Sequence, residues 1–208
     1  MIKAILLVLN PTRTWDTIVE DNRRFLSVFL AFLLPLVVLT CAAEGYGLAT
    51  WGKWRGQVKV VRKFTTHEVI AYEAVQCLLG LLLVFAGAKL VKSLGETFHG
   101  RHTFEQSFKT VAYGLSPMFL LRLLDVFPSV SPWVSWGIGI VLSLAVLYHG
   151  VPRVMQPDPP QAFGLYLVSA VLLLMTSGVV RFVTAWVLEG RFKQFDAVFS
   201  DVISRLRF

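Results

Sequence analysis

No charged residue occurs between Phe25 and Ala43. A helix crossing the hydrocarbon of a bilayer needs roughly 20 mostly apolar residues, and this stretch meets that length. Four more apolar runs follow. Val69 to Val91 carries Glu73 and Lys89 towards its two ends. Phe108 to Leu124 contains Gly114, Pro117 and Arg122. Pro132 to Gly150 is uncharged, and Phe163 to Leu188 is interrupted only by Arg181. The pattern predicts an all-α fold: a polytopic membrane helical bundle with five transmembrane helices over 25–43, 69–91, 108–124, 132–150 and 163–188. Five is odd, so the two termini are expected on opposite sides and a simple inverted repeat is not. Composition agrees. Hydrophobic residues make up 55% of the chain and charged residues 16%, whereas a soluble domain carries about 25% charge. An ordinary soluble enzyme and a disordered chain are both excluded.

Two flanks read as amphipathic. In the segment 1–24, Trp15, Ile18 and Val19 form a short stripe with Thr14 as N-cap. In the segment 189–208, Phe192, Phe195 and Phe199 recur at helical spacing among charges. Such stripes either lie in the headgroup plane or pack on the bundle, and sequence does not separate the two. Asp16, Glu20 and Asp21 precede the first long run, which is wrong for a signal peptide, so no cleavage is expected. The formal net charge is +7. The loop from Glu44 to Glu68 places Trp51 and Trp54 among lysines and arginines. Beside spanning helices those residues are expected at the bilayer interface, facing the lipid as partner, rather than on nucleic acid. Lysines and arginines divide almost evenly between the two sides, so charge alone does not orient the chain.

Ionisable groups inside spans are costly and invite a functional reading. Glu73 lies about one turn into its span with Gln76 on a neighbouring face, and needs a partner or an aqueous pocket. Arg122 and Arg181 lie near span ends, where long side chains can snorkel to the headgroups. Cys41 and Cys77 sit in apolar runs, and His99 and His102 have no metal-ligand companions at a recognisable spacing. No common catalytic signature is present, so neither a metal site, a cofactor nor an enzyme is expected.

The most informative stretch is His102 to Leu124, HTFEQSFKTVAYGLSPMFLLRLL, where Gly114 and Pro117 fall three residues apart inside an apolar run. Pro117 removes a backbone donor and Gly114 permits close approach of a neighbour, whereas Gly139 lies in a span with no nearby proline. A Pro-rich loop, VPRVMQPDPPQAFG, leads into the last span, and Asn10-Pro11 and Trp15 stand near the start. In this order of features the chain resembles the Yip-one (Ypt-interacting protein) domain family, prokaryotic type. The resemblance implicates Tyr113, Gly114 and Pro117, with Phe104 and Gln106 leading into them. It implies five spans, the N-terminus in the cytoplasm and residence in a bacterial inner membrane. The long N-terminal region with a DLYGP-like element found in eukaryotic members has no counterpart here, so direct GTPase binding is not expected. The resulting expectation is a non-enzymatic scaffold or adaptor for other membrane proteins, a second copy of itself among them, or for membrane organisation, with the amphipathic flanks as the parts that sense or bend a leaflet. The alternative is a small transporter or channel with a polar site around Glu73.

Overall fold

The computed structural model describes residues 2–21, 23–55, 60–62, 64–98 and 103–188. Two short helices come first, α1 (Ile2–Leu9) and α2 (Pro11–Glu20). A long helix follows in three parts: α3 (Phe25–Val28), a π-helical turn (Phe29–Leu33) and α4 (Leu34–Thr50). The widened turn comes just before Pro35, whose ring crowds the preceding turn and which offers no N–H. A small antiparallel hairpin, β1 (Lys53–Arg55) with β2 (Val60–Arg62), joins it to α5 (Thr66–Thr97). Next come α6 (Phe104–Gly114), α7 (Ser116–Leu121) and a 3-10 turn (Arg122–Val126). The bundle closes with α8 (Pro132–Met155) and α9 (Ala162–Leu188).

Four helices are long and apolar enough to cross a membrane: Phe25–Thr50, Thr66–Thr97, Pro132–Met155 and Ala162–Trp186. Their outward faces carry Leu78, Leu82, Ile138, Val141, Met175 and Val179, all exposed. Apolar side chains outside and polar ones inside reverse the soluble arrangement and suit a lipid surround. The chain is an integral, multi-pass membrane protein of the all-α class.

The predicted third span over 108–124 is not one helix. It breaks at Leu115 into α6, α7 and the 3-10 turn. It nevertheless runs from one end of the bundle to the other. At its start Phe104 packs near Phe25, with ring centroids 5.9 Å apart, and at its end Lys53 Nζ donates to the Asp125 carbonyl at 3.3 Å. Pro117 is the cause of the break, and its place is in the first turn of a new helix rather than at a kink inside one. Two hydroxyls serve the backbone there. Ser116 Oγ donates to the Tyr113 carbonyl at 2.6 Å, the acceptor that Pro117 has no N–H to use. The Met118 N–H donates to Ser143 Oγ of α8 at 3.1 Å. Every residue from Ser107 to Phe119 is buried, between α5 on one side and α8 on the other.

The family-motif residues have structural places in this segment. Gln106 Oε1 accepts from the Thr103 N–H at 3.0 Å while Thr103 Oγ1 accepts from the Gln106 N–H, a capping box that starts α6. Phe104 joins an aromatic cluster with Phe25 and Phe108. Tyr113 is buried against Phe32 and Trp15. A Cβ on Gly114 would stand 2.3 Å from the Leu147 side chain, so α6 meets α8 there.

The N-terminal stripe packs on the bundle. Trp15 is fully buried with its indole N–H on the Val146 carbonyl at 2.9 Å, and Ile18 is buried as well, while Val19 is exposed. Thr14 is not the N-cap. Asn10 holds that position, Pro11 starts the helix, and Thr14 Oγ1 donates back to the Asn10 carbonyl. The expected C-terminal helix with Phe192, Phe195 and Phe199 lies outside the described residues.

Gly139 is close-packed as well as Gly114. A Cβ on Gly139 would stand 2.8 Å from the Met118 Cα, and backbone yields less than the end of a leucine side chain. Gly139→Ala should therefore lower the melting temperature in detergent, with a cost of about 1–3 kcal/mol for overpacking. Gly137→Ala, with nothing within 4 Å of the new atom, should be neutral or stabilising by helix propensity. Equal melting of the two variants would contradict the close contact of α7 with α8.

Candidate functional site

A buried polar cluster lies towards the end of the bundle where α4 ends and α5 begins. Glu44 projects from α4, Glu73 and Gln76 from α5, Arg122 and Asp125 from the 3-10 turn, Ser135 from α8 and Arg181 from α9. A glycine sets the approach. A Cβ on Gly47 would stand 2.2 Å from the Val126 carbonyl oxygen, so only glycine lets the 3-10 turn lie on α4 and bring Arg122 to Glu44.

Arg122 is the centre. Its Nε and Nη2 both stand 2.9 Å from Glu44 Oε2, and Nη2 lies 3.4 Å from Glu73 Oε2. Gln76 Nε2 also donates to Glu44 Oε2, at 3.3 Å, and to the Tyr72 hydroxyl. The Glu44 side chain is fully buried, and those of Glu73 and Arg122 are 11% and 12% exposed. One guanidinium thus holds two carboxylates from two different helices. Arg181 faces Asp125 with Nη2 3.8 Å from Oδ2, beyond hydrogen-bond range, while Asp125 Oδ1 accepts from Ser135 Oγ at 2.5 Å. Lys53, the first residue of β1 and outside the spans, is buried. Burial holds its ammonium below the ordinary lysine value, and the charges of Glu44 and Asp125 oppose that shift.

A cavity of about 50 Å³ adjoins the cluster and is lined by Gln76, Arg122, Asp125, Ser135, Trp136 and Arg181 among others. A cavity needs roughly 10–15 Å³ to hold one water, so the space is small but polar. Buried atoms without a hydrogen-bond partner gather here: Arg181 Nε and Nη2, Asp125 Oδ2 and Trp136 Nε1. Glu44 Oε1 and Glu73 Oε1 are in the same state beside them.

The four intramembrane residues read from sequence, Glu73, Gln76, Arg122 and Arg181, come together here. The two arginines do not snorkel. Both turn inward, because buried carboxylates provide a stronger partner than water beyond the apolar faces. Sequence reasoning missed Glu44, Lys53, Asp125 and Ser135. By sequence Glu44 falls in the polar stretch Glu44 to Glu68, yet α4 continues to Thr50. The available signal was opposite charge at the ends of neighbouring spans. The motif residues Phe104, Gln106, Tyr113, Gly114 and Pro117 shape the helix that delivers Arg122, and none of them lines the cavity. Trp51 is exposed and stacks beside Phe127 at this end of the bundle, with ring centroids 6.5 Å apart. The backbone of Trp54 pairs with Val61 in the hairpin, and its side chain lies outside the described residues. Among the described residues, no group of three or more metal-ligating side chains is gathered.

Apolar outer faces, a broken central helix and an internally paired ionic cluster define a polytopic helical membrane protein. The family model for the Yip1 domain matches residues 5–181, and the chain belongs to that family. Comparison with curated proteins and with solved structures finds no significant match.

Breaking the central pair should be costly, because truncating one partner strands two buried carboxylates. Arg122→Gln should destabilise the protein by about 3–5 kcal/mol. Adding Glu44→Gln and Glu73→Gln to that variant should restore much of the loss, since neutral amides replace the stranded charges. Thermal unfolding in detergent measures both, and an Arg122→Gln protein that melts like the wild type would exclude the bridging role.

Proposed function

We propose that this chain is a non-enzymatic scaffold or adaptor in a bacterial inner membrane, acting through helix contacts with other membrane proteins or with a second copy of itself. Membership of the Yip1 domain family supports a membrane role. The observation that carries the scaffold reading is Arg122, whose guanidinium occupies Glu44 and Glu73 together. The carboxylates that a transporter would offer to a cation are tied to an internal counter-ion that fixes α4, α5 and the 3-10 turn to one another. A rigid bundle with apolar outer faces suits lateral contacts. A second reading, a small transporter or channel, draws on the polar cavity between α5, α8 and α9.

One substitution separates the two. Glu73→Gln keeps shape and hydrogen bonding but removes the charge. Under the scaffold reading, wild-type proteoliposomes carry no specific flux for a panel of ions and small solutes, and Glu73→Gln copurifies with the same membrane partners as the wild type. Wild-type flux that vanishes in Glu73→Gln would replace the scaffold with the transporter.

The orientation that goes with this reading puts the N-terminus in the cytoplasm, with five crossings in all. Reporter fusions at residues 1 and 208 should then lie on opposite sides of the membrane. Reporters on the same side would mean that the broken α6–α7 segment does not cross.

A further inference from the structure

The wall of the cavity pairs an open donor set with an open acceptor. Arg181 is 6% exposed, and its Nε and Nη2 have no hydrogen-bond partner. The Trp136 indole N–H is in the same state, and so is Asp125 Oδ2. All three residues line one cavity. Arg181 Nη2 and Asp125 Oδ2 stand 3.8 Å apart, close enough to attract and too far to satisfy one another. Buried charged groups left with unused hydrogen-bonding capacity are expensive, so a ligand that completes both is favoured.

Charge narrows the ligand. Arg181 and Asp125 in the wall carry opposite formal charges, so an ion of either sign would meet one of them with like charge in a low-dielectric site. A neutral ligand with separate charges would not. Its anionic end must accept from a guanidinium and an indole, and its cationic end must donate to a carboxylate oxygen. Guanidinium is matched to phosphate oxygens.

Position narrows it further. Asp125 lies in the 3-10 turn at the end of the broken segment, and Ser135 and Trp136 lie in the first turns of α8. This end of the bundle also carries Trp51, Phe127 and Trp133, all exposed, as aromatic side chains at headgroup level are. Trp136 and Val180 on the cavity wall are half-buried, and Ile138 and Val179, near them in sequence, are exposed. Asp125, Ser135 and Trp136 therefore place one end of the cavity near headgroup depth, while Gly80, Leu83 and Ser177 line its deeper part.

We propose that this cavity binds the phosphate–ammonium headgroup of an aminophospholipid, with the phosphate on Arg181 and Trp136 and the ammonium on Asp125. The glycerol and acyl chains stay outside along α8 and α9. The cavity adjoins the Glu44–Arg122–Glu73 bridge and shares Arg122 with it, and the proposal does not rest on the scaffold reading.

The test uses the full-length protein in detergent micelles with added phosphatidylethanolamine, phosphatidylcholine or phosphatidylglycerol. Native mass spectrometry reads bound lipid, and thermal unfolding reads stabilisation. Phosphatidylethanolamine should bind at least about tenfold better than phosphatidylcholine, whose quaternary ammonium has no N–H for Asp125; that is the loss expected for one charge-assisted hydrogen bond. Phosphatidylglycerol, which has no ammonium, should also bind less well. Asp125→Asn should remove the preference over phosphatidylcholine, and Arg181→Gln should weaken binding of all three lipids. Soluble phosphoethanolamine added alone should stabilise far less than the lipid; equal stabilisation would make the ligand a free solute and overturn the lipid assignment. Equal binding of the three lipids to the wild type would overturn the proposal even if neither variant folds. So would an absence of bound lipid, which would leave water as the occupant.

Discussion

A carboxylate placed among apolar helices must find a counter-charge or leave the membrane. Here two of them, Glu44 and Glu73, find the same one. Arg122 reaches them only because the 3-10 turn lies against Gly47, and that turn exists where it does because the segment before it is broken at Leu115. The chain of dependence runs from a proline to an ion bridge. Pro117 ends α6, α7 restarts after Leu115, and the guanidinium arrives between α4 and α5. The bridge then holds together helices that lipid alone would not drive together, since lipid tails are as apolar as the helix faces.

The break itself is kept from being expensive by local chemistry. Backbone groups at membrane depth must be satisfied within the protein. Ser116 covers the Tyr113 carbonyl and Ser143 receives the Met118 N–H, so a discontinuous helix is tolerated where it is buried between α5 and α8. Small residues at the crossing with α8 serve the same purpose by bringing backbones close. Gly114 and Gly139 face opposite partners, a side chain in one case and backbone in the other. The family motif therefore builds the path that carries Arg122, and the charged residues at its end form the site.

Much of this was legible in the amino-acid order. The four long helices follow from runs of apolar residues whose length matches the hydrocarbon, and the burial of Glu73 follows from its place one turn into such a run. Gly114 and Pro117 marked the unusual segment. The failures have a common origin in helix ends. Apolar runs end where charges begin, but helices do not: α4 continues past Ala43 and carries Glu44 inward, and α8 continues past Gly150 to Met155. Arg122 and Arg181 near span ends read as snorkelling side chains because a sequence gives their depth and not the direction in which they point.

Sequence by itself determined the class of protein, the positions of the four long helices and the one segment that had to be irregular, since these depend on hydrophobic length and on the missing N–H of proline, both local properties. Tertiary structure decided which charges meet. Glu44, Glu73, Asp125 and Arg181 come from segments far apart in the chain, and their pairing depends on how helices rotate and cross. Those rotations are set by contacts such as Gly47 on Val126 and Gly139 on Met118, where two distant stretches of backbone touch, and neither stretch encodes its partner's position alone.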